Sequence, residues 1–150
     1  MHLKRFTDFA LRVLIYLALH PQRVISINEI ARAFDMSRNH LLKVVNELVA
    51  SELVTTYRGK SGGMQLSKLP ADINVGHLTR KLEGESPLIN CTKPLCPILP
   101  ACTLNQALDE AQQAFFDQLD RYTLADLIGN QQNRLVNLLA QSGSEANYER

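Results

Sequence analysis

The chain of 150 residues has only three cysteines and no long uninterrupted hydrophobic run. An odd number of thiols without a recognisable export signal argues against the disulfide framework of a secreted protein. The apolar run from Phe9 to Leu19 contains Arg12, is too short to span a bilayer and lacks a small-residue cleavage site. We therefore expect a cytoplasmic protein that does not enter membranes.

The sequence also lacks the patterns of catalytic sites. It shows no grouping of serine, histidine and carboxylate, no glycine-rich phosphate loop after a strand, and no metal-binding histidine pair. We therefore expect a protein that is not an enzyme, built as one modest domain or as one domain with an appended helix.

Charge is unevenly distributed although the formal net charge is only +1. Residues 1–80 contain eleven Lys and Arg against six Asp and Glu, whereas residues 81–150 contain five against nine. The basic N-terminal part also holds all four histidines. This asymmetry is typical of an N-terminal surface that meets a polyanion.

Apolar residues recur at helical spacing in three segments of the first fifty residues. The first segment begins at Thr7, which we interpret as its N-cap, and ends before a proline. The second covers 27–34 after the capping residue Ser26, and the third covers 38–48 after Ser37. A short helix, a tight turn and a longer helix predict a helix-turn-helix.

The third helix divides into an apolar and a polar face. The residues predicted to face inward are Leu41, Leu42, Val45 and Leu48. The N-terminal residues of the second helix in this motif reach base edges in the major groove of DNA. The predicted contacts with DNA in this region are therefore Ser37, Arg38, Asn39, His40 and Lys43.

Two short alternating segments, 53–57 and 64–67, flank a glycine-rich turn and predict a β-hairpin, which we call the wing. Glycines in the turn permit positive φ and a close approach to another surface. The predicted contacts with DNA in the turn are Arg58, Lys60, Ser61 and Gly62. A solvated basic turn is the alternative, but the helix-turn-helix directly upstream favours a role in DNA binding.

All three cysteines lie in the segment Cys91-Thr-Lys-Pro-Leu-Cys96-Pro-Ile-Leu-Pro-Ala-Cys102. Its prolines discourage helix and favour a stiff loop, and thiolates bind soft metals. We predict an iron-sulfur cluster, either [2Fe-2S] or [4Fe-4S], whose fourth ligand is not identified by spacing. Structural zinc and plain buried or redox-active thiols stay open as alternatives, although the C-x4-C-x5-C spacing is unlike that of zinc sites.

The remaining sequence predicts helices at 71–82, 122–128 and 134–140, with disorder from Ser142. A longer amphipathic helix begins at Thr103 and extends to Leu119. The apolar stripe of this long helix comprises Leu104, Ala107, Leu108, Ala111, Phe115 and Leu119. We expect this stripe to pack against its twin in a symmetric dimer, with packing inside one chain as the alternative.

The sequence thus predicts a mainly α fold in four parts. They are a winged helix-turn-helix DNA-binding domain (1–82), an iron-sulfur cluster loop (83–103), a dimerisation helix region (104–130), and a short helix with a disordered tail (131–150).

Several segments together resemble the winged-helix iron-sulfur repressors, most closely the nitric-oxide-sensing NsrR group. These segments are Phe6-Thr-Asp-Phe-Ala-Leu-Arg12, Ser37-Arg-Asn-His40, Arg58-Gly-Lys-Ser-Gly-Gly63, Asn90-Cys91 with the two cysteine spacings, and Tyr122-Thr-Leu-Ala-Asp-Leu127. The related IscR group is similar in the N-terminal part but spaces its first two cysteines by five residues rather than four. The resemblance extends to about Leu127.

The resemblance implies a homodimer that binds a palindromic DNA operator while its cluster is intact and releases the operator when nitric oxide attacks the irons. It also implies that Asp8, reaching across the dimer, is the fourth ligand. Otherwise a carboxylate in a first helical turn is favoured simply by the helix dipole. The alternative function is an iron-sulfur or thiol redox protein whose winged head binds a protein partner.

Overall fold

The computed structural model describes residues 2–59, 61–84 and 86–145, with the backbone alone in 142–145. These residues form seven α-helices and one two-stranded antiparallel sheet. The elements are α1 Arg5–Leu19, α2 Ile27–Ala33, α3 Arg38–Ala50, β1 Val54–Tyr57, β2 Gly63–Leu66, α4 Val75–Glu83, α5 Thr103–Leu119, α6 Leu124–Ile128 and α7 Gln132–Glu145. None of these helices is long and apolar enough to cross a bilayer.

The chain divides into two compact units. The first unit combines Met1–Ile73 with Thr123–Arg150, and the second is Asn74–Tyr122. These units cut across the predicted parts, because 74–82 belong to the second unit and 123–130 to the first.

The first unit is built around α1, which packs against α3, α6 and α7, while α2 packs against α3 and α7. Burial of large apolar side chains is the main favourable contribution to such a core. Its fully buried aliphatic side chains include Leu14, Leu17, Ile25, Ile30, Leu41, Leu48 and Leu124.

The wing is confirmed as an antiparallel hairpin in which Val54 lies opposite Leu66. Its second strand also pairs with the residue before the cap of α2. The Ile25 N–H donates to the Met64 carbonyl oxygen at 2.9 Å, and the Met64 N–H donates to the Ile25 carbonyl oxygen at 2.8 Å. Both side chains are buried. The base of the wing is therefore fixed to the helix-turn-helix by backbone hydrogen bonds.

The second unit consists of α4, the cysteine loop and α5. Phe116 is buried, and the guanidinium of Arg80 lies over its ring at 4.7 Å. Arg80 also forms an ion pair with Asp120 at 2.8 Å. The Asn74 side chain accepts from the His77 N–H and donates to the Asp120 carbonyl oxygen, so it joins the start of α4 to the end of α5.

Two predictions in the N-terminal helices are wrong. Thr7 is not the N-cap of α1, because the helix begins at Arg5 and Thr7 is fully buried inside it. In α3, Leu42 is 38% exposed whereas Val44 is buried. The buried residues 41, 44, 45 and 48 follow the i, i+3, i+4, i+7 spacing, which leaves 42 to one side of the stripe.

The predicted C-terminal helices differ in their bounds. The helix predicted from Ala71 begins at Val75, because residues 70–72 form a 3₁₀ turn that starts with a proline and Asn74 caps α4. The last helix is twice the predicted length and continues to Glu145. Predicted disorder is therefore wrong for 142–145, and 146–150 lie outside the described residues.

Candidate nucleic-acid interface and cysteine loop

The start of α3 presents its polar side chains to solvent because the turn before it is anchored. Met36 is buried, and its N–H donates to the Ala31 carbonyl oxygen at 2.9 Å. Asp35 takes a left-handed φ of 50°, which closes the turn. Ser37 occupies the N-cap position, but its side chain makes no capping hydrogen bond. The five residues predicted to contact DNA, all exposed, are Ser37, Arg38, Asn39, His40 and Lys43.

The turn of the wing exposes Arg58 and Ser61 and half-buries Gly62. Its backbone is closed by the Gly62 N–H, which donates to the Gly59 carbonyl oxygen at 3.0 Å. Gly59 has the expected positive φ of 109°, whereas Gly62 and Gly63 do not. A side chain at 62 would strike the carbonyl oxygen of Tyr57, so glycine is needed there for space. Lys60 lies outside the described residues.

The backbone of the cysteine loop places two of its cysteines opposite each other. Thr92 pairs with Leu95 in an antiparallel bridge, and the Cys96 N–H donates to the Cys91 carbonyl oxygen at 2.9 Å. These two contacts form a small hairpin, in which Cys91 and Cys96 lie opposite each other, one residue further from the turn than Thr92 and Leu95. Cys102 follows the 3₁₀ turn Leu99–Ala101 and precedes α5. All three thiols are free and partly buried.

The surroundings of Cys91 disfavour its thiolate form. Its thiol donates to Oδ1 of Asn105 at 3.6 Å. Burial raises the pKa of Cys91, and the nearby thiolates of Cys96 and Cys102 and the carboxylate of Asp109 raise that pKa further. A bound metal would favour the thiolate, so the donor set suits a thiolate-bound metal such as zinc or an iron-sulfur cluster.

The geometry selects neither the predicted cluster nor the zinc alternative. Among the residues that the structure describes, no group of three or more His, Cys, Asp or Glu side chains is placed to hold one metal ion. A mononuclear zinc site needs ligands that converge on one point. A cluster likewise needs its thiolates around one compact centre, so the described geometry does not distinguish the two.

The predicted fourth ligand, Asp8, belongs to the first unit, whereas the cysteines belong to the second. Asp8 is 40% exposed and accepts from Nε of Arg12 at 2.7 Å. Sequence analysis missed Asn105 and Asp109 beside Cys91. Both follow Cys102 at helical spacings of three and seven residues, but that spacing does not show that the loop brings Cys91 beside them.

Residues 3–130 match the family described as "Rrf2: Iron-dependent Transcriptional regulator". The oxidized form of Staphylococcus aureus CymR is 30% identical, with a TM-score of 0.69 over 85% of this chain and 95% of that chain. CymR (YrzC), described as the global cysteine regulator of B. subtilis, is 26% identical with a TM-score of 0.62, over 85% and 95%.

IscR of T. potens is 24% identical, with a TM-score of 0.69 over 85% of this chain and 86% of that chain. At this identity the likeness is one of fold alone. The predicted mainly α winged fold is confirmed by these solved structures.

Proposed function

Because the chain belongs to the Rrf2 family of transcriptional regulators, we propose that it is a homodimeric repressor that binds a palindromic DNA operator. The exposed polar residues at the start of α3 carry this proposal. Arg38, Asn39, His40 and Lys43 are exposed on the helix that enters the major groove in this motif. The turn of the wing, from Arg58 to Gly62, contacts the adjacent backbone.

The repressor holds an iron-sulfur cluster on Cys91, Cys96 and Cys102, and nitric oxide is its signal. The three free thiols in one loop, with charge that disfavours empty thiolates, support this assignment. When bound, the cluster supplies irons that bind nitric oxide strongly and give up their thiolate ligands. Asp8 of the partner subunit provides the fourth, weaker ligand.

The cysteine loop transmits the signal because it leads directly into α5. Thiolate coordination holds the hairpin at 91–96 and the 3₁₀ turn at 99–101 in one arrangement. Release of the thiolates loosens this connection between α4 and α5. Through the dimer this changes the spacing of the two α3 helices, which must match two operator half-sites.

Anaerobic purification, an absorbance spectrum and assays of iron and sulfide test the cluster. Cys91→Ala, Cys96→Ala and Cys102→Ala should each abolish the visible chromophore and much of the specific DNA affinity, because two thiolates are too few to hold the irons. Thr103→Ala, which removes an exposed hydroxyl next to the loop, should change neither. Retained cluster absorbance in a cysteine variant, or stoichiometric zinc in the wild type, would count against the assignment.

Mobility shifts with operator and random DNA test the interface. Arg38→Ala and Asn39→Ala should each cost about 1 to 3 kcal/mol at the operator and relax specificity. Lys60→Ala should weaken binding to both DNAs alike and flatten the salt dependence. An unchanged operator preference in both α3 variants would mean that α3 does not read the bases.

A second function, regulation through the thiols without a cluster, is favoured by one observation. The chain is 30% identical to CymR, whose structure in an oxidized form is known. Specific operator binding by iron-free protein that is lost on thiol oxidation would support this second function. The alternative in which the winged head binds a protein partner has no such support.

A further inference from the structure

A small pocket of about 140 Å³ lies in the first unit between the start of α1 and the middle of α3. Its floor is apolar and consists of Phe6, Phe9 and Val44. Its rim carries Arg5, His40 and Lys43. Small-molecule sites usually occupy about 300 to 1,000 Å³, so this pocket is too small for an organic effector of ordinary size. The cationic rim is therefore its most informative feature.

Arg5 and Lys43 are exposed, and neither has a hydrogen-bond or ion-pair partner among the residues that the structure describes. Two neighbouring cations of the first unit are paired, Arg12 with Asp8 and Arg23 with Glu29, whereas Arg5 and Lys43 share one rim. Two unpaired cations on one rim attract an anion, and the apolar floor below them reduces screening by water. His40 is held beside them by its contact with Phe9, with ring centroids 6.3 Å apart.

The place of this rim on α3 identifies the anion. Residues at the start of α3 are proposed to reach base edges, and Lys43 lies one turn further along the helix. In helix-turn-helix proteins, phosphate contacts from neighbouring elements fix the protein on the duplex while the recognition helix reads the bases. With α3 in the major groove, a cation of α1 that shares the rim with Lys43 would lie at the edge of the groove, where the sugar-phosphate backbone passes.

We propose that Arg5 and Lys43 together bind one phosphate of the DNA backbone, so that α1 is part of the DNA-binding surface. This inference rests on the proposed function and adds Arg5 to its contacts. Arg5 fixes the position of α3 in the groove and carries no base specificity of its own. Lys43 then contacts the backbone, and Arg38, Asn39 and His40 are the α3 residues that reach base edges.

The test compares the full chain with Arg5→Gln, Arg5→Lys and the control Arg134→Gln in binding to operator and random DNA between about 50 and 200 mM salt. Arg134 is exposed on α7 of the same unit and has no described partner. Arg5→Gln should weaken binding to both DNAs by the same factor and reduce the log-log salt slope by up to about 0.9, the value for one phosphate, because Lys43 still contacts that phosphate. Arg5→Lys retains the positive charge, so its salt slope should equal that of the wild type. Arg134→Gln should also have the wild-type slope.

The outcomes separate this inference from the proposed function. If Arg5→Gln keeps the wild-type slope while Asn39→Ala loses operator preference, the phosphate site is wrong and the repressor function stands. If the wild type shows no operator preference at all, the proposed function itself fails. If the wild type binds inorganic phosphate saturably and Arg5→Gln does not, while the DNA salt slope of Arg5→Gln is unchanged, the rim binds a free anion and not a DNA phosphate. Thermal melting of each variant confirms that it is folded.

Discussion

Tyr16 links α1 to the helix-turn-helix through a charged neighbour. Its hydroxyl donates to Oε1 of Glu29 at 3.1 Å, and Glu29 also pairs with Arg23. Its ring stacks on His20, with centroids 4.6 Å apart, and meets the edge of Phe34. Burial, followed by the negative charge of Glu29, raises the pKa of Tyr16 to about 12.

The raised pKa predicts a loss of stability in alkali. Since the folded pKa lies above the ordinary value of 10.0, the stabilisation is complete below pH 10 and is lost between about pH 10 and 12. The loss should be of the order of 2 kcal/mol. Urea unfolding of wild type and Tyr16→Phe across this range measures it, because the variant removes only the titrating hydroxyl. Parallel pH profiles of the two proteins would contradict the prediction.

As the proposed fourth ligand, Asp8 is expected to set the sensitivity of the proposed cluster. A hard carboxylate holds iron less firmly than a soft thiolate. Asp8→Ala should therefore give a cluster that is lost faster in air or in competing thiol, and Asp8→Cys one that reacts more slowly with nitric oxide. Decay of the visible absorbance measures both rates. Arg12→Gln is the control, since it removes the ion-pair partner of Asp8 and keeps the carboxylate.

If Asp8→Ala leaves both the cluster lifetime and the nitric oxide reaction unchanged, Asp8 is not a ligand. Loss of lifetime in Arg12→Gln as well would show that the position of the Asp8 carboxylate matters, not its presence alone.

At the scale of elements, α6 is held by a capping box that sequence analysis did not identify. The Thr123 side chain accepts from the Asp126 N–H, and the Asp126 carboxylate accepts from the Thr123 N–H at 2.8 Å. The hydrogen bond from the Thr123 N–H, and to a smaller extent the one from the Thr123 hydroxyl, lower the pKa of Asp126. The segment Thr123-Leu-Ala-Asp126 is a sequence signature of this motif.

Loss of this box should weaken the packing of α6 on α1. Thr123→Ala should cost about 0.5 to 2 kcal/mol in urea unfolding at neutral pH, whereas Thr123→Ser keeps the hydroxyl and should cost less. Because the pKa of Asp126 is lowered, its contribution is present above the ordinary pKa of 3.8 and is lost as the pH falls through the folded value. Equal stability of the Ala and Ser variants would show that the hydroxyl does not cap.

Local signals explain which elements could be predicted from the sequence. The bounds of α2 and α5 and the wing follow from capping residues, helical periodicity and turn glycines, all of which lie within a few residues of the element. The burial of Thr7 and the exposure of Leu42 depend on which neighbour packs against each helix. The placement of Asn105 beside Cys91 likewise depends on how the loop folds back on α5, which no local pattern specifies.

At the scale of the whole molecule, the apolar stripe of α5 is the expected site of self-association. Leu104 is 59% exposed, and Ala107 and Ala111 are exposed as well. Among the described residues of α5, Phe116 is buried, and it does not belong to the predicted stripe. An exposed apolar stripe of this length is more typical of a dimer interface than of a free surface.

Charge in the middle of this stripe should separate the protomers. Ala111→Glu places two like charges near each other in a symmetric interface, so light scattering should show a shift from dimer to monomer. Gln106→Glu, on the opposite side of α5, should leave the dimer intact. A wild type that is monomeric at the highest concentration tested, or an Ala111→Glu variant that stays dimeric, would rule out this interface.

The pairing of Ile25 with Met64 joins the wing to the helix-turn-helix, the two parts of the first unit that are proposed to contact DNA, so that they move together. A hairpin joined to the body only through its own two ends can swing while the helices stay still. Here the hydrogen bonds at the base of the wing would have to break first. We therefore expect the wing and α3 to leave the duplex in one step, with a single dissociation phase, rather than peeling away one after the other.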